Sequence, residues 1–355
     1  MNDGLVPWQV DGTDFPASGS ETQKLQFLVK YAVLAPSKYN AQPWLFEICG
    51  NSLDLICDRN WAFRVTDPQS RELTLSCGAA LLNLRLAAQH FGYTTRVEPF
   101  PWPGDRYLLA RVRLGPPPDQ DVCRRFAASV ANGPSDEELF NVLKKRRTYL
   151  GSFWNGSPPD GVLARCSDTA SQHGAWLHFV KDSAKRTAVA NLVARADREL
   201  MAERAFRREL ARWIHPTRGK SKDGVPGASY GLAGPLNLLT PGLPLLIWTL
   251  NLGSLVGFHH RELAKRAPVL AVLGTVDDTP QSWLAAGQAL QLVLLQATAA
   301  GLVASFLNQP IEVEHLRLQL AKLIGEDGLP QILIRLGYGT PVGHTPRRPA
   351  QEVLI

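Results

Sequence analysis

Three short stretches of this chain carry residue types from which a ligand site could be made. The first is Ala35-Pro36-Ser37-Lys38-Tyr39-Asn40-Ala41-Gln42-Pro43-Trp44, dense in hydroxyl, amide and ammonium groups and pinned by two prolines. Pro36 cannot continue the amphipathic helix predicted for ETQKLQFLVKYAVLA, and it biases Ala35 away from helical backbone. Polar groups on such a pinned loop can read the edge of a flat heterocycle, because rigidity spares the entropy of ordering them. The same residues also describe a loop that only satisfies its own backbone. The second stretch is Lys144-Lys145-Arg146-Arg147-Thr148, after the helical run DEELFNVL. Paired guanidiniums beside a hydroxyl suit a phosphate monoester, since their forked, permanently charged donors match its oxygens. A solvated basic helix end, favoured by the helix dipole, is the alternative. The third is Thr345-Pro346-Arg347-Arg348-Pro349, a second basic pair that could complete a phosphate pocket or belong to a basic tail.

Other chemistries find little support. Gly337-Tyr338-Gly339 follows a strand pattern but opens no helix, so it is no dinucleotide fingerprint, and no Walker loop, HExxH or GxSxG occurs. His259 and His260 are adjacent, where metal ligands on a helix would stand three or four residues apart. Cys77 falls near a predicted helix start, which could lower its pKa, although burial is the commoner role for such a residue. Five cysteines without a CxxC pair fit a reducing compartment, so a cytoplasmic protein is expected. The net charge of +6 favours anionic ligands but is too weak and scattered for nucleic acid. The N-terminus has no basic start before an apolar run and does not read as a signal peptide. Two apolar stretches, 236–258 and 284–307, are broken by Pro241 and Pro244 and by Gln288, Gln291 and Gln296, and read as buried segments rather than membrane spans.

The elements that must position these stretches repeat. Residues 77–101 and 286–310 align without gaps, sharing Gly78, Ala80, Leu81, Leu86, Ala88, Gly92 and Pro101 with the second copy. Each begins as an apolar helix, stops at a glycine (Gly92 or Gly301) and leads to a strand, LLARVRLG or ILIRLG. Upstream, Trp44-Leu45-Phe46-Glu47-Ile48 matches Trp176-Leu177-His178-Phe179-Val180. The chain of 355 residues thus reads as an extension (1–20), a first half (21–133) and a second half (134–355). Residues 192–269 have no counterpart and could form a lid, a clasp or a packed excursion.

APSKYNAQPW resembles the PSxxNxQPW motif of the nitroreductase superfamily. KRRTY resembles its phosphate-binding RxS motif, with Thr148 in place of Ser, and TPRRP resembles its last basic phosphate ligands. The pairing resembles the Acg-type branch in particular, where one chain mimics the usual dimer. This resemblance implies an α+β fold of two pseudo-symmetric halves, each a mixed or antiparallel sheet flanked by helices, with FMN between them. The implied cofactor residues are Pro36, Ser37, Lys38, Asn40 and Gln42 from the first half. The second half would supply Arg146, Arg147, Thr148, Arg347 and Arg348, with Leu307, Asn308 and Gln309 beside the isoalloxazine. The mirror site is expected to be broken, because Asp168-Thr169-Ala170-Ser171-Gln172 stands where the PSxxN loop should recur. One flavin per chain follows. The implied activity is hydride transfer from NADH or NADPH through flavin N5 to a nitroaromatic or quinone-like acceptor, with no side-chain acid or base. The alternative is an FMN storage or sequestration protein whose lid blocks turnover. A chain that mimics a dimer is expected to be monomeric, with a small-molecule acceptor and neither nucleic acid nor membrane as partner.

Overall fold

The computed structural model describes residues 3–116, 134–215, 221–226 and 242–355; Cys123 and most of the Gly/Pro-rich run after Val225 lie outside them. The first half opens with α1 (Glu21–Ala32), started by a Ser20/Gln23 capping box. It continues through β1 (Trp44–Cys49), β2 (Ser52–Cys57), α2 (Arg71–His90), β3 (Thr94–Pro99) and β4 (Leu108–Gly115). The second half contains α3 (Asp136–Leu143), α4 (Asp160–Gln172), β5 (Trp176–Phe179), α5 (Ser183–Ala202) and α6 (Arg204–Trp213). A two-residue parallel pair, β6 (Ile214–His215) and β7 (Val225–Pro226), follows, then α7 (Leu243–Thr249), α8 (Gly253–Lys265) and β8 (Val269–Thr275). The chain ends with α9 (Pro280–Ala299), β9 (Val303–Phe306), α10 (Gln309–Glu312), α11 (Glu314–Ile324) and β10 (Leu329–Gly337).

The α+β class follows directly from these elements. Both four-stranded sheets are antiparallel, and their orders match: β1-β2-β4-β3 and β5-β8-β10-β9. A long helix, α2 or α9, leaves the second strand of each sheet and ends at a left-handed glycine, Gly92 or Gly301. Strands β8 and β10 read as nearly continuous apolar runs because helices cover both their faces. Ala271, Leu273, Ile332 and Ile334 share a core with α9 and α4, whereas Leu270, Val272 and Leu333 share one with α5, α8 and α11.

Helices α2 and α9 cross at two glycines. A Cβ on Gly78 would lie 2.3 Å from the Leu284 carbonyl oxygen, and one on Gly287 would lie 2.1 Å from that of Leu75. The contact is reciprocal, as expected where matching elements meet face to face. Leu75 joins the core of the second half, while Leu284, Leu292 and Leu295 join that of the first. Gln291 Nε2 donates to Asn83 Oδ1 at 2.7 Å within the buried seam. The apolar stretch 284–307 is therefore shared between α9, packed in this interface, and β9, paired with β10. Among the described residues no helix is long and apolar enough to cross a membrane.

Two excursions bind the halves further. Between β5 and β8, where the first sheet has only the turn at Gly50 and Asn51, the chain makes α5 to α8. The segment without counterpart thus begins with α5 at Ser183, ahead of the sequence-based boundary at 192. Its helix α6 lies on the first half: the Glu209 carboxylate accepts from the Val65 and Thr66 N–H groups at 3.0 and 3.2 Å, and the Trp213 ring packs 4.7 Å from Phe63. After β10 the chain crosses to the first half, where Phe46 N–H donates to Val353 O at 2.7 Å along the edge of β1. At the other sheet, Tyr149 N–H donates to Ala304 O at 2.7 Å on the edge of β9.

One expectation is corrected. Asp168 to Gln172 do not form a loop equivalent to the first-half PSKYN stretch; they lie inside α4, and only residues 173–175 connect that helix to β5. An ungapped match had carried a loop into a helix whose C-terminal turn is polar.

The glycine crossing yields a stability prediction. Gly287→Ala should cost about 3 kcal/mol, because its methyl group meets backbone that cannot move aside. Gly242→Ala, with open space around it, should change stability by less than about 0.5 kcal/mol. Urea denaturation of both variants checks this, and a Gly287→Ala chain as stable as the parent would contradict the crossing.

Candidate functional site

Arg146, Arg147 and Arg347, distant in sequence, converge in one place. Arg146 and Arg347 are each only 3% exposed. Arg146 and Arg147 follow the end of α3, on the segment that reaches the edge of β9, and Arg347 arrives on the crossing tail. Arg347 donates to Asn40 Oδ1 at 2.5 Å, to Thr345 Oγ1 at 2.6 Å and to Pro346 O at 3.0 Å. Arg147 donates to Lys144 O at 2.6 Å, to Arg146 O at 2.8 Å and to His344 Nε2 at 2.5 Å. Among the described residues no carboxylate pairs with any of the three. The Nε atoms of all three are buried without a hydrogen-bond acceptor.

Burial without a counter-ion is costly for a guanidinium, and it shows in the acidities. Burial holds Arg146 and Arg147 down to about 10, with the Arg147 charge adding to the effect on Arg146. Burial, then Arg146 and Arg147, hold Arg347 well below its ordinary value. A guanidinium in a protein keeps its proton at neutral pH. Three positive charges with unfilled donors fit a dianion with several oxygens, which is the chemistry of a phosphate monoester.

The loop that meets this cluster is strained. Tyr39, Asn40 and Gln42 have φ of 46°, 57° and 54°, left-handed backbone that costs a non-glycine residue about 1–2 kcal/mol. Hydrogen bonds hold it there. Gln42 N–H donates to Ser37 Oγ at 2.9 Å, and Asn40 Nδ2 donates to Pro346 O at 3.0 Å. The Gln42 side chain is fully buried: its Nε2 donates to Asn40 O and to Lys222 O at 3.1 and 2.7 Å, and its Oε1 accepts from Arg348 N–H at 2.7 Å. Arg348 further donates to Gln42 O at 3.3 Å and Glu352 O at 3.0 Å. Gln42 and Arg348 therefore serve each other, and Pro36 is buried at the end of α1.

Lys38 is also engaged within the protein. Its ammonium binds Glu72 and, at 3.0 Å, Glu312, and donates to Thr66 Oγ1 at 2.9 Å. Burial and the Glu72 charge push Glu312 up to about 7 against the pull of Lys38. Glu72 is held low because Lys38 and Arg71 outweigh its burial. Asn308 Nδ2 donates to Glu72 Oε1 at 3.1 Å, so the loop after β9 reaches the same carboxylate as Lys38. Leu307 is buried and its N–H is spent on Leu333 O at 2.9 Å. Gln309 Nε2 lies 3.0 Å from His260 Nδ1, which also meets Asp197 Oδ2 at 2.9 Å. Thr148 bridges Ala304 on β9. From Ala304 to Asn308 an extended chain covers about 13 Å. The site is thus an elongated strip, with the guanidiniums at one end, Lys38, Glu72 and residues 308–309 at the other, and the Asn40–Gln42 turn of the loop between them.

Several of these residues carry no sequence signal. Trp8 lies with its ring 5.0 Å from the guanidiniums of both Arg147 and Arg347. Glu72, Glu312, His260 and Asp197 are ordinary helix residues until the fold brings them together. Cys77 is corrected: α2 starts at Arg71, so the thiol sits inside the helix, fully buried, and burial raises its pKa well above the ordinary value.

No protein-family profile matches the chain. It is similar to "Putative NAD(P)H nitroreductase Rv3131" of Mycobacterium tuberculosis, 31% identical over 359 residues, covering 99% of this chain and 95% of that protein. "Putative NAD(P)H nitroreductase acg" of the same organism is 30% identical over 339 residues, covering 94% and 95%. "Probable NAD(P)H nitroreductase PigM" of Serratia sp. is 23% identical over 348 residues, covering 94% and 93%. Among solved structures, the FMN and NADPH-dependent nitroreductase NfnB from sphigopyxis sp. strain HMH overlaps 61% of this chain and 96% of its own, at 17% identity and a TM-score of 0.39. That overlap is too loose to place one residue upon another.

The cluster predicts a proton linkage. Burial, then Arg147, Arg347, Lys144 and Arg146, push His344 down to about 4. Since its folded value lies below the ordinary 6.5, acidification from 6.5 towards 4 destabilises the folded chain. A dianion bound by the arginines offsets their charges, so the His344 pKa should rise towards 6.5. An NMR titration of the imidazole with and without inorganic phosphate tests this, and an unchanged pKa at saturating phosphate would mean that no anion enters the cluster.

Proposed function

Because this chain belongs to the nitroreductase family of oxidoreductases, we propose that it binds one FMN between its halves and reduces small acceptors with electrons from a reduced nicotinamide. The observation that carries this reading is the buried, carboxylate-free arginine cluster joined to Asn40. Those guanidiniums lack the partner that a phosphate would be. FMN, when bound, would supply a ring that takes a hydride from NADH or NADPH and delivers it to an acceptor such as a nitroaromatic or quinone.

The residues divide the work of holding that group. Arg146, Arg147 and Arg347 would bind the phosphate, with the Thr148 hydroxyl beside them. Ser37 and Asn40 from the first half, and Asn308 and Gln309 from the second, would border the ring. Gln42, Lys38 and Arg348 act indirectly by fixing the strained loop, and Pro36 and Leu307 by packing. No side chain is needed to exchange a proton with the ring. A single site is favoured over two, because the connection at 173–175 is too short to repeat the loop and the first half has no arginine pair before α1. Cys49, Cys57, Cys77 and Cys166 are free thiols, in keeping with a reducing, cytoplasmic setting.

The storage reading also has a specific support. Lys222, on the excursion after β6, accepts a hydrogen bond from Gln42 in the loop itself, and α6 is anchored beside it. An excursion fixed there would bar a nicotinamide from the ring. Anaerobic NADPH addition separates the two: rapid bleaching supports turnover, and a yellow protein bleached only by dithionite supports storage.

Flavin released from purified protein should amount to about one FMN per chain. Arg347→Ala should weaken FMN binding by roughly 10- to 100-fold, the equivalent of losing one charged hydrogen-bond partner. Riboflavin, which lacks the phosphate, should bind parent and variant alike. Equal losses for both ligands would place the phosphate elsewhere, and a chain that binds no flavin would overturn the proposal.

A further inference from the structure

We infer that the N-terminal segment is itself part of this site, and that Trp8 closes the phosphate end so that only a terminal monoester fits. The inference rests on the FMN reading and adds its specificity: mononucleotide flavin in, dinucleotide flavin out. Nothing in the first 20 residues resembles a binding motif, and the matched halves begin after them.

Residues Asp3–Gln9 form a short 3-10 helix laid against the arginine cluster. Trp8 is 6% exposed, although Leu5 and Val6 beside it are exposed. Its ring lies 5.0 Å from the guanidiniums of Arg147 and Arg347 and 4.2 Å from the His344 ring. Its indole N–H donates to Thr345 O at 2.8 Å. The backbone on either side is tied to the same groups. Gly4 O accepts from Arg347 N–H at 2.7 Å, and Val10 O accepts from the Lys144 ammonium at 2.7 Å. Every one of these bonds joins the segment to the basic cluster or to the residues that flank it.

The chemistry of this contact is selective. An indole face attracts guanidiniums without neutralising them, so it can hold two like charges in place and leave their in-plane donors for an anion. It offers nothing to a second phosphate. The carbonyl oxygens of Gly4 and Val10 are acceptors, as phosphate oxygens are, so a diphosphate leaving the cluster on that side would meet a ring and two electron-rich oxygens. A flavin that ends in a monoester makes no such demand. Trp8 is therefore a positioning and specificity-determining residue, acting through Arg147 and Arg347.

The test compares FMN, FAD and riboflavin binding, by flavin fluorescence, for the full chain, Trp8→Ala, Trp8→Phe and a chain lacking residues 2–10. Thermal unfolding confirms that each is folded. The full chain should prefer FMN over FAD by more than roughly tenfold. Trp8→Ala and the truncated chain should lose that preference by gaining FAD and should release FMN faster. Trp8→Phe, which keeps a ring over the guanidiniums, should retain the preference, and riboflavin binding should stay constant throughout. A parent that takes FAD as readily as FMN would overturn the inference, as would Trp8→Ala and truncated chains that keep the parental ratio. Either result leaves FMN binding standing, whereas a parent that binds none of the flavins removes both.

Discussion

The organisation of the site answers to the burial of guanidiniums that have no carboxylate partner among the described residues. A folded chain ordinarily pairs such groups or leaves them in water, because an unpaired buried charge costs several kcal/mol. Here Arg146 and Arg347 are buried, and their nearest charged neighbours are other cations. The tail that delivers Arg347, the segment that delivers Arg146 and Arg147, and the N-terminal helix that covers them all converge at that one place. In the proposed reading, the partner that offsets these cations is an anion that arrives from outside.

The opposite end of the strip has the opposite balance. Asp67, Glu72 and Glu312 gather around Lys38 and Arg71; burial raises Asp67 and Glu312, whereas Lys38 and Arg71 hold Glu72 low. Between these ends lies the loop of left-handed residues, whose strain is offset by bonds to the tail and to the excursion after β6. The loop belongs to one half and its clamps to the other. Its geometry therefore depends on how the halves are docked, and the docking depends on the glycine crossing of α2 and α9. A site divided between two halves needs such a rigid seam.

Much of this was legible in the residues. The two apolar helices stopped by Gly92 and Gly301, the Trp-led edge strands and the three polar stretches are local patterns, and the fold uses each of them. Gly78 also stood out as a matched position, although only the packed helices show that its missing Cβ admits a backbone carbonyl. Other features depend on long-range contacts. Lys38 lies in a motif that suggests a ligand contact, yet Glu72 and Glu312 claim it from distant helices. Positive φ at Tyr39 and Gln42 has no signature, since neither residue type favours it. Trp8 in an N-terminal extension looks like any surface-near aromatic until two arginines flank it. Asp168 to Gln172 misled because alignment without gaps cannot shorten a connection.

The most direct test of the account is a crystal structure of the chain grown with FMN, read at the position of the phosphate. The account predicts phosphate density within hydrogen-bond reach of Arg146, Arg147 and Arg347, with the flavin running along β9 towards Asn308. Ordered FMN whose phosphate lies away from these three arginines would contradict it, and the reason for their burial would have to be sought elsewhere.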